Sequence, residues 1–340
     1  MHRRGKRATT SKAEAAAAGS PPAATTIQVA GTRVEPGERA QIEIPVARLP
    51  AMQTFTMLPV EVVHGARTGP RLWLSAAIHG DELNGVEVIR RVLERVEPSR
   101  LRGTLLAAPI VNAFGLISQS RYLPDRRDLN RCFPGSPRGS LASRLAYIFM
   151  QEIVRRSTHG IDLHTGSDHR TNLPQVRADL RDEETRRAAE AFGAPVVIQA
   201  ATRDGSLRDA ASRLGIPTLL YEGGEPLRFD REAIETGVTG VMRVMGSLGM
   251  VASRDVKARP HVTATRTTWV RARGSGICRL EVALGDRVTK KQRLAVISDP
   301  FGRMNVVVSA PSDGLVIGHS LNPLVRQGDG VLHLAVEFEE

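Results

Sequence analysis

At 340 residues the chain exceeds what one core usually organises, so two folded units are expected. Two cysteines exclude a disulfide framework and no run is long and apolar enough for a membrane helix, which together predict a soluble cytoplasmic protein with no membrane partner. The formal charge of +11 invites a nucleic-acid reading, but the basic residues are spread along the chain and only three tyrosines and two tryptophans are available to stack on bases, so no specific nucleic-acid partner is expected.

Residues 1–26 combine Arg3, Arg4, Lys6, Arg7 and Lys12 with an alanine run broken by Glu14 and a Gly-Ser-Pro-Pro sequence. They cannot bury a core, and a disordered basic tail is expected; no apolar stretch follows the basic residues, which argues against a secretory signal. From 27 to 258, apolar runs of strand length alternate with helical patterns. Residues 72–78, 104–110, 195–199 and 217–221 read as buried strands. Leu83, Val86, Ile89, Val92 and Leu93 recur at helical spacing, and 141–154, 181–192, 207–214 and 231–248 also read as helices. Such alternation predicts an α/β domain with a largely parallel sheet flanked by helices.

After Pro260 the pattern changes to short β-rich runs at 267–273, 277–282, 294–298, 305–309, 315–319 and 331–337, parted by turns such as Gly285-Asp286 and Asp313-Gly314. They predict a small all-β domain, a barrel or sandwich, over 259–340. Its turns resemble those of lipoyl or biotinyl carrier domains. A carrier needs a modifiable lysine at a hairpin tip, and the corresponding turn, Ser298 to Arg303, has none. A structural lid is the better reading.

His79 and Glu82 sit on the strand-to-helix turn after residue 78, and His164 follows the strand end Ile161-Asp162-Leu163. Open α/β sheets bind ligands beyond the carboxyl ends of their strands. Catalytic zinc sites take three imidazole or carboxylate ligands and leave a further position for water. Two histidines and one glutamate fit, so one Zn2+ per chain is expected. An HxxE pair alone is weak evidence; the second histidine-bearing strand end gives it weight. Asp162 shares a strand face with His164 and is placed to fix its tautomer, and Asp81 could do the same from the turn. His64, His159, His261, His319 and His333 have no partner at ligand spacing, while His169 lies on a loop expected to overhang the metal. Cys132 and Cys278 read as packed side chains.

Four separated segments carry a resemblance: His79-Gly80-Asp81-Glu82; the stretch from Asn112 through Arg121-Tyr122 to Gly135; Asp162 to Gly166; and Tyr221-Glu222-Gly223-Gly224. In order and spacing the chain resembles the succinylglutamate desuccinylase and aspartoacylase family, zinc enzymes of the carboxypeptidase A type fold. The resemblance implies zinc ligands His79, Glu82 and His164, with Glu222 as general base and then general acid. It implies that Arg121 polarises the scissile carbonyl and that Asn130 and Arg131, with Tyr122 nearby, grip the substrate. A planar guanidinium suits bidentate contact with a carboxylate, so an acidic group on the substrate is expected. Arg208 and Arg213, on the helix before Glu222, are each candidates for a second carboxylate contact. Family members append a β-rich domain that narrows access to the metal, which would exclude large polypeptides.

The leading expectation is therefore a zinc-dependent hydrolase, a deacylase cleaving the amide of a small N-acyl amino acid or related N-acyl compound. The alternatives are a zinc metallocarboxypeptidase acting on short peptides and a non-enzymatic binding protein on the same fold. Ala113 where the family often has proline, the basic run Arg126-Arg127 and the extra acid Glu225 leave the acyl group and the amine open. The sequence leaves room for a homo-oligomer.

Overall fold

Side chains alternate across a strand, so each strand of a buried sheet must supply two different faces. The computed structural model describes residues 24–48, 53–252 and 261–339; the expected tail up to residue 23 and the expected domain boundary at 258/259 lie outside the described residues. In chain order a hairpin of β1 (Ile27–Val29) and β2 (Thr32–Val34) precedes β3 (Arg39–Arg48), β4 (Phe55–His64), β5 (Arg67–Ala76), α1 (Asn84–Arg95), β6 (Arg102–Ala108) and α2 (Ala113–Ile117). Then come α3 (Leu141–Glu152), β7 (His159–His164), β8 (Arg170–Ala178), α4 (Glu183–Phe192), β9 (Val196–Gln199), α5 (Leu207–Ser212), β10 (Thr218–Gly224) and α6 (Arg231–Ser247). Every described element after residue 260 is a strand: β11 (Val262–Arg271), β12 (Gly276–Leu280), β13 (Arg287–Val288), β14 (Arg293–Ser298), β15 (Asn305–Ser309), β16 (Gly314–Ser320), β17 (Leu324–Val325) and β18 (Gly330–Phe338). Among the described residues no helix is long and apolar enough to cross a membrane.

One sheet of twelve strands, in the order β13-β16-β18-β11-β9-β8-β10-β7-β5-β6-β4-β3, runs through the molecule. It is mixed rather than largely parallel. The parallel pairings join β6, β5, β7 and β10, and separately β8, β9 and β11. β8 meets β10 antiparallel, and both ends of the sheet are antiparallel. The loop from His164 to Arg170 is too short for a parallel crossover, which needs a dozen or more residues, so β8 must run back along the sheet.

The segment after residue 260 is not a self-contained barrel. Its strand β11 extends β9, and its strand β16 pairs with β8, so it completes the sheet that carries the site. Only β15-β14-β12-β17 form a separate four-stranded sheet. A long sheet with bare edges at β8 and β9 would expose unpaired backbone groups, and these strands cover them. The expected disorder also stops short of residue 26. Thr25 O lies 2.9 Å from His64 Nε2, and Thr26 Oγ1 donates to Glu35 Oε2 at 2.6 Å.

Alternation sorts the helices onto two faces. Leu72, Leu74 and Ala76 of β5, Ile161 and Leu163 of β7, and Leu219 and Tyr221 of β10 pack against α1, α4 and α6 in one core. Trp73 faces the other core with α3 and α5. Asp162, His164 and Glu222 are the alternate residues of their strands, so they fall on the α3/α5 side at the carboxyl ends of the parallel group. Contrary to a position just past its strand, Glu222 lies within β10.

The turn before α1 is fixed by hydrogen bonds from the backbone and from the Asn112 side chain. Gly80 N donates to Ser120 O at 3.1 Å, Asn112 Nδ2 to Ile78 O at 3.3 Å, and Asn112 Oδ1 accepts from Gly115 N at the start of α2. A Cβ on Gly80 would lie 1.8 Å from the Gly115 carbonyl carbon, a backbone atom that cannot swing aside. We expect Gly80→Ala to lower unfolding stability by about 1–3 kcal/mol, as overpacking does, and to reduce metal retention by displacing His79; a melt and a metal assay that both match wild type would contradict this.

Candidate active site

The expected trio converges. One ligand atom from each of His79, Glu82 and His164 lies within 4.8 Å of the others, and all three residues are buried. His79 Nδ1 lies 2.7 Å from Glu82 Oε1 and His164 Nδ1 lies 2.7 Å from Glu82 Oε2. Thr165 N also donates to Glu82 Oε2, at 3.1 Å. The other nitrogen of each ring faces a carboxylate. His164 Nε2 is 2.8 Å from Asp162 Oδ2, whose Oδ1 accepts from Ser75 Oγ at 2.6 Å.

His79 Nε2 is 3.2 Å from Asp128 Oδ1. Asp162 thus takes the place expected for it, while Asp81 does not: the partner of His79 is Asp128, and Asp81 Oδ1 has no hydrogen-bond partner among the described residues. Pinning both Nε2 atoms turns both Nδ1 atoms inward, an arrangement found around metal-ligating histidines. Burial pushes the Glu82 carboxyl up, but His79 and His164 outweigh it and hold it well below the usual range. Burial likewise raises Asp128, and His79 and Arg121 reverse the effect, keeping it ionised. The donor set, two imidazole nitrogens and a carboxylate, fits zinc.

Arg121 stands beside this trio. Its Nη2 donates to Asp128 Oδ2 at 2.9 Å, and its Nη1 lies 3.2 Å from His79 Nδ1 and 3.5 Å from Glu82 Oε1. Residue pairing sets Glu222 of β10 next to His164 of β7, on the same face. Its Oε2 accepts from Asn172 Nδ2 at 2.5 Å, and its Oε1 lies 3.6 Å from Arg177 Nε.

These residues line a cleft of about 310 Å³ together with Asn130, Arg131 and Arg208. Asn130 is less free than expected, because its Oδ1 caps Leu207 N at the start of α5, 2.9 Å away. Arg208 is 8% exposed, its guanidinium donating to the carbonyls of Ala200 and Ala201. Burial and then the neighbouring Arg177 push its pKa down to about 10. Arg213 is exposed and paired with Asp209 at 3.0 Å, outside the cleft lining. Tyr122 is 46% exposed and does not line the cleft, and neither does His169. Cys132 Sγ donates to Asp128 O at 3.3 Å, a packing role.

Several contributors escaped the sequence reading, among them Asp128 beside His79, Asn172 and Arg177 of β8, Arg170 of the same strand, and Trp269 of β11. The Trp269 indole has two close neighbours. Arg170 lies 5.0 Å over the ring, and His333, its partner on β18, stacks at 4.6 Å with an interplanar angle of 3°. A tryptophan in a β-run is visible in the sequence, but nothing there ties it to His79, Glu82 and His164.

Residues 68–248, more than half of the chain, match the Succinylglutamate desuccinylase/Aspartoacylase catalytic domain. The chain belongs to this family. An N-alpha-acetyl-L-2,4-diaminobutyric acid deacetylase from Halomonas elongata is 28% identical over 315 residues, spanning 88% of this chain and 91% of that protein. The crystal structure of a succinylglutamate desuccinylase/aspartoacylase from Rhodobacter sphaeroides superposes with a TM-score of 0.79 at 26% identity, covering 89% of this chain and 96% of that one. The product-bound ectoine utilization protein EutE (DoeB) from Ruegeria pomeroyi shares the fold, with a TM-score of 0.80 at 23% identity over 88% and 95% of the two chains. Within this desuccinylase/aspartoacylase chain, every residue from His79 to Glu222 lies inside the matched span, whereas Trp269 and His333 lie beyond it.

Burial first, and then Arg177 and Arg170, push the His333 pKa from 6.5 down to about 3. Between those values the unfolded chain binds the proton and the folded one does not, so this stabilisation is present above pH 6.5 and is lost as pH falls toward 3. Each pH unit in that window costs about 1.4 kcal/mol. His333→Phe, which keeps a stacked ring, should flatten the fall in urea-unfolding stability between pH 6.5 and 4; an unchanged slope would show that His333 does not set it.

Proposed function

We propose that this chain is a zinc-dependent deacylase that hydrolyses the amide of a small N-acyl amino acid. His79, Glu82 and His164 would hold one Zn2+, which supplies Lewis acidity and a water acidified toward neutral pH. Glu222 takes the proton of the attacking water and returns it to the departing amine nitrogen, a double duty suited to a cleft carboxyl. Arg121 is a fixed cation on the metal side of the cleft, placed to stabilise the carbonyl oxygen as it gains charge. Asp128 and Asp162 orient the two imidazoles.

The observation that carries this reading is that Glu222 and His164 are register partners on one face of adjacent strands. A bare metal receptor has no need of a carboxyl there. Arg131 and Arg208 are the groups for a free carboxylate on the substrate, Arg208 because its charge is buried without a carboxylate hydrogen-bond partner among the described residues. The diaminobutyrate deacetylase relative acts on an N-acetylated amino acid, which supports the same class here. The small cleft, walled by Trp269 from the β-rich segment, favours such a substrate over a polypeptide and supports a lid role for that segment.

Glu222→Gln should keep its zinc and its fold and lose about 10²–10⁴-fold in kcat on N-acetyl-L-2,4-diaminobutyrate or a related N-acetyl amino acid. Arg208→Met should raise KM for the free acid while leaving KM for its methyl ester near the wild-type value. Full activity in the Gln variant, or equal KM changes for acid and ester, would remove the assigned role.

A further inference from the structure

We infer that Asn172 is a positioning residue for Glu222, and that Gly318, in the β-rich segment, keeps Asn172 in place. The inference rests on the general-base role given to Glu222 above. A glutamate has three rotatable side-chain bonds, and a proton shuttle must hold one orientation toward both water and amine. Two groups from β8 restrain it: Asn172 Nδ2 donates to Oε2 at 2.5 Å, and Arg177 Nε stands 3.6 Å from Oε1. The β8–β10 register slips between Glu222 and Gly224, which pairs with Asn172. Such an irregularity re-aims the side chain beside it.

Asn172 is 7% exposed and has β16 on its other side. Gly318 pairs with Asn172, His319 with Thr171 and Ser320 with Arg170. A Cβ at residue 318 would lie 2.7 Å from Asn172 Oδ1 and 3.2 Å from Thr171 O. The amide therefore occupies the space that glycine leaves free. Its Oδ1 is turned toward β16, so its Nδ2 is turned toward Glu222. Through Gly318 the β-rich segment reaches the proton shuttle by way of one amide.

The test is a double-mutant cycle on the full-length zinc enzyme, with Glu222→Gln in parallel and kcat, KM, zinc content and melting temperature read for each protein. Asn172→Ala should lose about 10–100-fold in kcat, the value of a hydrogen bond to a charged group, with KM and zinc unchanged. Gly318→Ala should lose part of the same factor. In the Asn172→Ala background the Gly318 change should cost nothing further, because no amide remains to be displaced.

Additive losses, or wild-type kcat in Asn172→Ala, would overturn the inference. Should Gly318→Ala fail to fold alone, its recovery in the Asn172→Ala background supports the contact, and failure in both refutes it. An active Glu222→Gln, or a zinc-loaded wild type idle on N-acetyl amino acids, removes the underlying reading. An inactive Glu222→Gln beside a fully active Asn172→Ala removes this inference alone.

Discussion

Asp162 and Asp128 each face the Nε2 side of one imidazole, at 2.8 and 3.2 Å, and so turn the Nδ1 atoms of His164 and His79 onto the two oxygens of Glu82. Most other features of the site follow from this arrangement. Buried charges are tolerated only when paired and hydrogen-bonded, and removing one partner of such a set costs several kcal/mol. The network therefore commits the turn before α1, the end of β7 and the loop holding Asp128 to one relative placement. Arg121, tied to Asp128 at 2.9 Å, is carried into position by the same constraint.

The sheet makes this convergence available. Period-two alternation puts Leu163 and Tyr221 into the core under α1, α4 and α6, and so brings Asp162, His164 and Glu222 to the opposite face. His164 ends the parallel strand β7 and His79 and Glu82 sit on the turn after β5, whereas the groups beside Glu222 belong to β8, which runs antiparallel to β10. The segment after residue 260 then closes the edge of β8 and contributes Trp269 to the cleft. The family-matched span and part of the β-rich segment thus share one sheet.

The parts legible in the sequence were those with short-range signals. His79 and Glu82 share one turn, His164 ends an apolar run, and α1, α3, α4, α5 and α6 fall close to their expected positions because their apolar spacing is regular. What escaped depends on distant pairing. Asp128 is 49 residues from His79, and no local pattern links them. β8 has no clear strand signal because it gives Arg170, Asn172 and Arg177 to the cleft and because Pro174 interrupts the run, so polarity that lines the cleft reads as loop. The separate barrel was expected because strand content after residue 260 is evident, while the pairing of β11 with β9 and β16 with β8 is not encoded in any one stretch. Tyr122 follows Arg121 in the sequence but does not line the cleft with it.

The account stands on the claim that His79, Glu82 and His164 hold one zinc ion. Its most direct test is the metal content of the purified protein by mass spectrometry, wild type beside His164→Ala, after zinc supplementation. The account predicts about one zinc per wild-type chain and little in the variant, both proteins being folded. A folded, supplemented wild type without zinc, or a variant that keeps its full complement, would contradict it.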